Sequence, residues 1–179
     1  MKFPKSCPKC QGAFNPAYIE EKLPAYICKT CSGVCLGIME LNIWLSTHKK
    51  DLSLSKQNSE LVLAEDNRQP LRCPFTGTFM TKYKFSADSD RYIEYSSNSG
   101  MIWFDQGEWE LLKSLDLISD IPNFFSTSWQ KSIAQDKMHK LIEEKYKERF
   151  GEDYEAILNF KTRFKNKKTF SEIITYLGV

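Results

Sequence analysis

The chain has 179 residues, 41% hydrophobic and 27% charged, with 25 Lys and Arg against 23 Asp and Glu for a net charge of +2. That balance excludes a charged disordered tail and a strongly basic nucleic-acid coat. The best apolar run, Val34 to Met39, is far short of the about 20 residues a membrane helix needs, so no membrane partner is expected. Lys2, Lys5 and Cys7 precede any apolar stretch, so no signal peptide is read and a reducing, cytoplasmic setting is expected.

Two Cys-x-x-Cys pairs open the chain, Cys7-Pro8-Lys9-Cys10 and Cys28-Lys29-Thr30-Cys31, separated by the 17 residues Gln11 to Ile27. Each pair forms a tight knuckle that aims two thiolates at one point. Two knuckles joined by a hairpin of this length supply four tetrahedral ligands for one Zn2+ per chain. Disulfides do not suit a reducing compartment, and a redox motif explains one pair but not two. Gly12 and Gly33 follow the pairs and are expected to take the positive φ of the knuckles. Cys35, in the apolar Val34-Cys35-Leu36, reads as a buried small side chain outside the metal set. His48 and His139 lie in polar, charged segments and read as solvent-facing.

A short helix is expected over Ile38 to Leu45, then a linker over 46–70, richest in Ser, Lys and Asn up to residue 60. The pattern then recurs. Val34-Cys35-Leu36 aligns with Ile102-Trp103-Phe104, and Glu40-Leu41 with Glu108-Trp109. Cys7-x-x-Cys10 falls over Cys73-Pro74-Phe75-Thr76, and Cys28-x-x-Cys31 over Ser96-x-x-Ser99. Three of four ligands are gone, so this copy is expected to be metal-free. Residues 71–110 carry nine aromatics against five in residues 1–44, and an aromatic core including Phe75, Phe79, Trp103 and Trp109 is expected to replace the metal. Strands are expected over Phe79 to Phe85 and Arg91 to Tyr95, and a helix over Asp105 to Leu115.

These residues resemble the bacterial transcription-factor zinc-finger family, whose ribbon is TFIIB-like. Its pattern is Cys-Pro-x-Cys, a hairpin, then Cys-x-x-Cys-Gly-Gly-Val-Trp-Leu-Asp-x-Gly-Glu-Leu. Cys7, Cys10, Cys28 and Cys31 fall on the ligand positions, and Gly33, Val34, Leu36, Glu40 and Leu41 on the tail. Ser32, Cys35, Gly37 and Met39 depart from it. The second unit keeps the tail through Ile102-Trp103-Phe104-Asp105-Gln106-Gly107-Glu108 and loses the ligands. The resemblance covers about Lys2 to Leu45 and Leu71 to Leu112, and it implies a transcription-associated, nucleic-acid-binding ribbon.

The C-terminal third reads as helices. Thr127-x-x-Gln130 has the form of a capping box. The helix behind it carries Ile133, Ala134, Met138, Leu141, Ile142 and Tyr146 on one face and stops at Gly151. A second helix is expected over Asp153 to Phe164, and a third after the capping box Thr169-x-x-Glu172. The fold class is therefore α+β: a zinc ribbon over 1–45, a linker over 46–70, a metal-free ribbon repeat over 71–120 and a helical cap over 121–179. Stripping the zinc is expected to unfold 1–45 and spare 71–115.

Charge follows the same division: net +2 over 1–70, −3 over 71–125 and +3 over 126–179. Lys161, Arg163, Lys165, Lys167 and Lys168 form the densest basic run. They read as a solvated helix end, with a nucleic-acid or acidic partner as the rival. There is no Gly-rich phosphate loop, no His-Glu-x-x-His and no nucleophile elbow, and a four-cysteine site leaves zinc no open position. The expected protein is non-enzymatic, a zinc-stabilised interaction module with an unknown protein partner; the alternative is a nucleic-acid-binding ribbon.

Overall fold

Alternation of side chains and tight knuckle turns produces three strands and a helix, twice in succession. A computed structural model describes residues 4–48, 62–65 and 69–178. Strands β1 (Phe14–Glu20), β2 (Leu23–Cys28) and β3 (Val34–Gly37) lead into helix α1 (Ile38–Thr47). Strands β4 (Thr81–Lys84), β5 (Tyr92–Ser96) and β6 (Met101–Phe104) lead into α2 (Glu108–Ser114). All six form one sheet in the order β1-β2-β3-β6-β5-β4, with antiparallel pairing throughout. The class is α+β. Of the expected linker, 49–61 and 66–68 lie outside the described residues.

The seam between the halves is β3 against β6, with Val34 facing Phe104, Cys35 facing Trp103 and Leu36 facing Ile102. Cys35 thus opposes the residue it aligns with in sequence. Paired residues share a face of the sheet. One face carries Leu23, Ala25, Leu36, Ile102 and Phe104. Leu41 and Trp44 of α1, Trp109 and Leu112 of α2, and Ile121 and Phe124 of the short α3 (Ile121–Phe124) close over it. The other face carries Cys28, Cys35 and Trp103, packed under the knuckles with Cys7, Leu71, Cys73 and Met80. Both cores draw on both halves of the sheet.

Helix α4 (Thr127–Phe150) takes in the expected cap residue, Thr127, as its first helical residue. Ser126, not Thr127, caps it: its Oγ accepts the Trp129 N–H at 3.2 Å. Gln130 has a different task. Its amide donates to the carbonyls of Lys84 and Phe124 at 2.7 and 2.8 Å, tying the helix start to β4. The chain divides into a unit Met1–Ala134 and a unit Gln135–Val179. The second unit holds the rest of α4, α5 (Tyr154–Phe164) and α6 (Phe170–Tyr176). Gly151 is left-handed, as a C-cap glycine should be. Thr169 sits at the N-cap of α6 but makes no capping bond. On the expected apolar face of α4 only Ile133 is buried; Met138, Leu141, Ile142 and Tyr146 are exposed.

Candidate metal centre

Four turns of one design build the knuckle side of the sheet. In each, the N–H of the fifth residue donates to the carbonyl of the first: Gln11 to Cys7, Ser32 to Cys28, Gly77 to Cys73 and Gly100 to Ser96. That fifth residue is left-handed in all four, with φ of 63°, 55°, 75° and 68°. The strain therefore falls on Gln11 and Ser32 in the first ribbon, not on Gly12 and Gly33. Those glycines answer to close approach. A Cβ on Gly12 would lie 2.4 Å from Thr30 Oγ1, and one on Gly33 would lie 2.3 Å from the Trp103 ring.

The first two knuckles bring Cys7, Cys10, Cys28 and Cys31 together, with all four sulfurs within 4.8 Å of one another. Cys7 and Cys31 sulfurs are 3.6 Å apart, and Cys10 and Cys28 sulfurs 3.4 Å. Tetrahedral Zn–S bonds of about 2.3 Å need sulfurs about 3.8 Å apart, so the cluster fits one Zn2+. All six cysteines are free of disulfides. Without metal, burial pushes the Cys7 thiol far above its ordinary range and Cys31 up to about 11. Burial also raises Cys28, but the N–H groups of Cys31 and Thr30 and the hydrogen bonds from Cys10 and Cys31 outweigh it, and its pKa falls to about 7.

The second pair of knuckles keeps the turns and carries hydrogen bonds where the first has four thiolates. Cys73 Sγ and Ser99 Oγ, counterparts of Cys7 and Cys31, lie 3.1 Å apart. Burial raises the Cys73 thiol, yet the Ser99 and Thr76 hydroxyls and the Phe75 and Thr76 N–H groups bring it below its ordinary value. Ser96, counterpart of Cys28, is buried. Trp103 and Trp109 are buried as expected of a core, whereas Phe79 is 60% exposed, with the Arg72 guanidinium 3.9 Å from its ring centre.

One connection has no signal in the spacing of the motifs. Lys9, inside the first knuckle, places Nζ 2.8 Å from the buried Asp105 carboxylate of the second half. The other oxygen of Asp105 accepts the Trp103 indole N–H at 3.0 Å. The Asp105 N–H in turn donates to Glu108 at 2.8 Å. Only the tertiary fold brings Lys9 and Asp105 together.

Cys35 is fully buried opposite Trp103 and lies outside the metal cluster. Cys35→Ser should retain one zinc per chain by metal analysis while losing about 1–3 kcal/mol in denaturant titration, because a hydroxyl enters an apolar site. Loss of the metal in that variant would make Cys35 a ligand. His48 is half-buried, stacked on Trp44 at 5.0 Å, and His139 is exposed. Lys161, Arg163, Lys165, Lys167 and Lys168 are all exposed, with Lys167 and Arg163 against the Phe164 ring.

Beside the knuckles the same face of the sheet stays open. A groove of about 440 Å³ runs over β1 and β2, lined by Pro16, Tyr18, Pro24, Tyr26, Phe75 and Met101, with Glu40 as its one charged side chain. Phe75 meets Tyr26 edge to face at 5.6 Å, so the second knuckle pair builds one wall. Tyr18 is 71% exposed.

Residues 6–47 match the family model described as the transcription factor zinc-finger, a TFIIB-type zinc ribbon. The match spans all four cysteines and ends with α1. No curated protein and no solved structure matches the chain. No helix among the described residues is long and apolar enough to cross a membrane.

Proposed function

We propose that this chain is a non-enzymatic protein-interaction module in which zinc holds a scaffold and the open face of the sheet receives a protein partner. The apolar groove over β1 and β2 carries this reading, because six of its lining residues are aromatic, proline or methionine and only Glu40 is charged. A four-thiolate zinc is coordinatively full, which supports a structural and not a catalytic metal. Six unpaired cysteines suit a reducing compartment, the cytoplasm. Photo-crosslinking in the native cell tests the proposal. Benzoylphenylalanine in place of Tyr18 should give protein adducts that resist nuclease, whereas the same group at the exposed Ile43 on α1 should not. Adducts that vanish on nuclease treatment, or none at all, would overturn it.

The family description favours a second reading, nucleic-acid binding, and one observation supports it. A cleft between the two knuckle pairs is lined by Lys5, Arg72 and Gln11 and by no carboxylate. On this reading a duplex DNA probe should bind with a marked salt dependence that weakens in Lys5→Glu and Arg72→Glu. Salt-independent or absent binding counts against it.

A further inference from the structure

We infer that the groove takes a proline-rich segment in the polyproline II conformation, with an arginine or lysine of that segment meeting Glu40; this rests on the protein-interaction reading above. Three features narrow the occupant. The first is the edge of the sheet. β1 is an outermost strand, and strand addition there needs its outward N–H groups. The Lys29 N–H donates to the Ala13 carbonyl at 3.0 Å, and the register runs through Asn15 against Ile27 and Ala17 against Ala25. Residues 13, 15 and 17 therefore bond inward, and the outward positions are Phe14, Pro16 and Tyr18. The central one is proline and has no N–H to offer. An added strand would lose its middle hydrogen bond.

The second feature is the lining. Pro16 faces Tyr26 and Tyr18 faces Pro24 across the two strands, so tyrosine and proline alternate on both sides. Diagonal neighbours in such a pair of strands stand about 7–8 Å apart, and the Tyr18 and Tyr26 rings both line the groove, offering two aromatic faces to a pyrrolidine ring. A polyproline II helix repeats every three residues and bares its carbonyls and ring faces, so it enters such slots without needing strand hydrogen bonds. It is also formed before binding, which reduces the entropy lost on docking. The third feature is Glu40. It makes no hydrogen bond or ion pair among the described residues, and it is the only charge in an apolar groove. A cation on the ligand complements it.

Anisotropy titration of the full-length, zinc-loaded protein tests the inference. The probe is a fluorescein-labelled decapeptide of proline and leucine ending in arginine. It should bind saturably, and Tyr18→Ala should weaken it about tenfold, the loss usual for an aromatic anchor. Tyr18→Phe should retain binding. Glu40→Gln should weaken the arginine peptide about threefold to tenfold and leave a glutamine-ended peptide unchanged. Zinc content and far-UV circular dichroism check that each variant folds, and both side chains reach the surface. Binding that ignores Tyr18→Ala, or a proline-free apolar peptide that binds as well as the probe, would overturn the inference. If the probe fails while crosslinks from position 18 to protein persist, the occupant is wrong and the groove still docks a protein. If both fail, the interaction reading falls with it.

Discussion

Chelating the zinc should unfold both halves of the sheet together. Metal binding contributes about 10–16 kcal/mol to the folding of zinc-finger peptides. The stability of a whole domain is only about 5–15 kcal/mol. The sequence suggests that residues 71–115 would survive on their aromatic core, but three structural links bind them to the first ribbon. β3 and β6 share the central seam of one sheet. Leu23, Leu36 and Leu41 share a core with Phe85, Ile93 and Ile102. Lys9, held between two zinc ligands, is the cation beside the buried Asp105. Releasing the knuckle therefore strands a buried carboxylate in the other half, and breaking such a pair costs about 3–5 kcal/mol. Hydrogen exchange before and after chelation should show protection lost in β4 to β6 as well as in β1 to β3. Persistent protection of β4 to β6 alone would mean that the second half stands on its own.

The second large effect is expected at Trp103. Its indole is fully buried, it lies over Gly33, and its N–H satisfies Asp105. Trp103→Ala should cost about 3–5 kcal/mol in denaturant unfolding, for the cavity and the lost contacts together. Gly33→Ala should cost about 1–3 kcal/mol, because its Cβ would meet ring atoms at 2.3 and 2.5 Å and the Phe104 carbonyl at 3.2 Å. The two costs should not add. In a Trp103→Leu background the methyl group of Gly33→Ala has room, so its penalty should shrink and a double-mutant cycle should show coupling. Additive costs would mean that Gly33 is required for its backbone and not for the indole.

The same seam gives Cys35 its place. Cys35 and Trp103 face each other across β3 and β6, on the same side of the sheet. Two indoles at that point would compete for one space, and a small thiol opposite one large ring fills it. Phe79 shows the opposite lesson. An aromatic residue in a small ribbon suggests a core position, yet the bridge between Arg72 and Phe79 turns it outward, where the guanidinium covers its face.

What the chain determined by itself was local. Knuckle turns need only a few residues, so Cys7, Cys10, Cys28 and Cys31 were legible from spacing, and so were the hairpins and α1 and α2. Chemistry of this kind sits within a few bonds of the residues that cause it. What only the tertiary structure decided was long-range. The pairing of β3 with β6 joined two expected modules into one sheet, because edge strands of equal register and twist bury more apolar surface together than apart. That joining set Lys9 against Asp105 and gave Gly33 its reason. Met138, Leu141, Ile142 and Tyr146 are exposed on a helix whose periodicity suggested burial. Periodicity tells which side chains share a face, and only the fold tells whether anything lies against it.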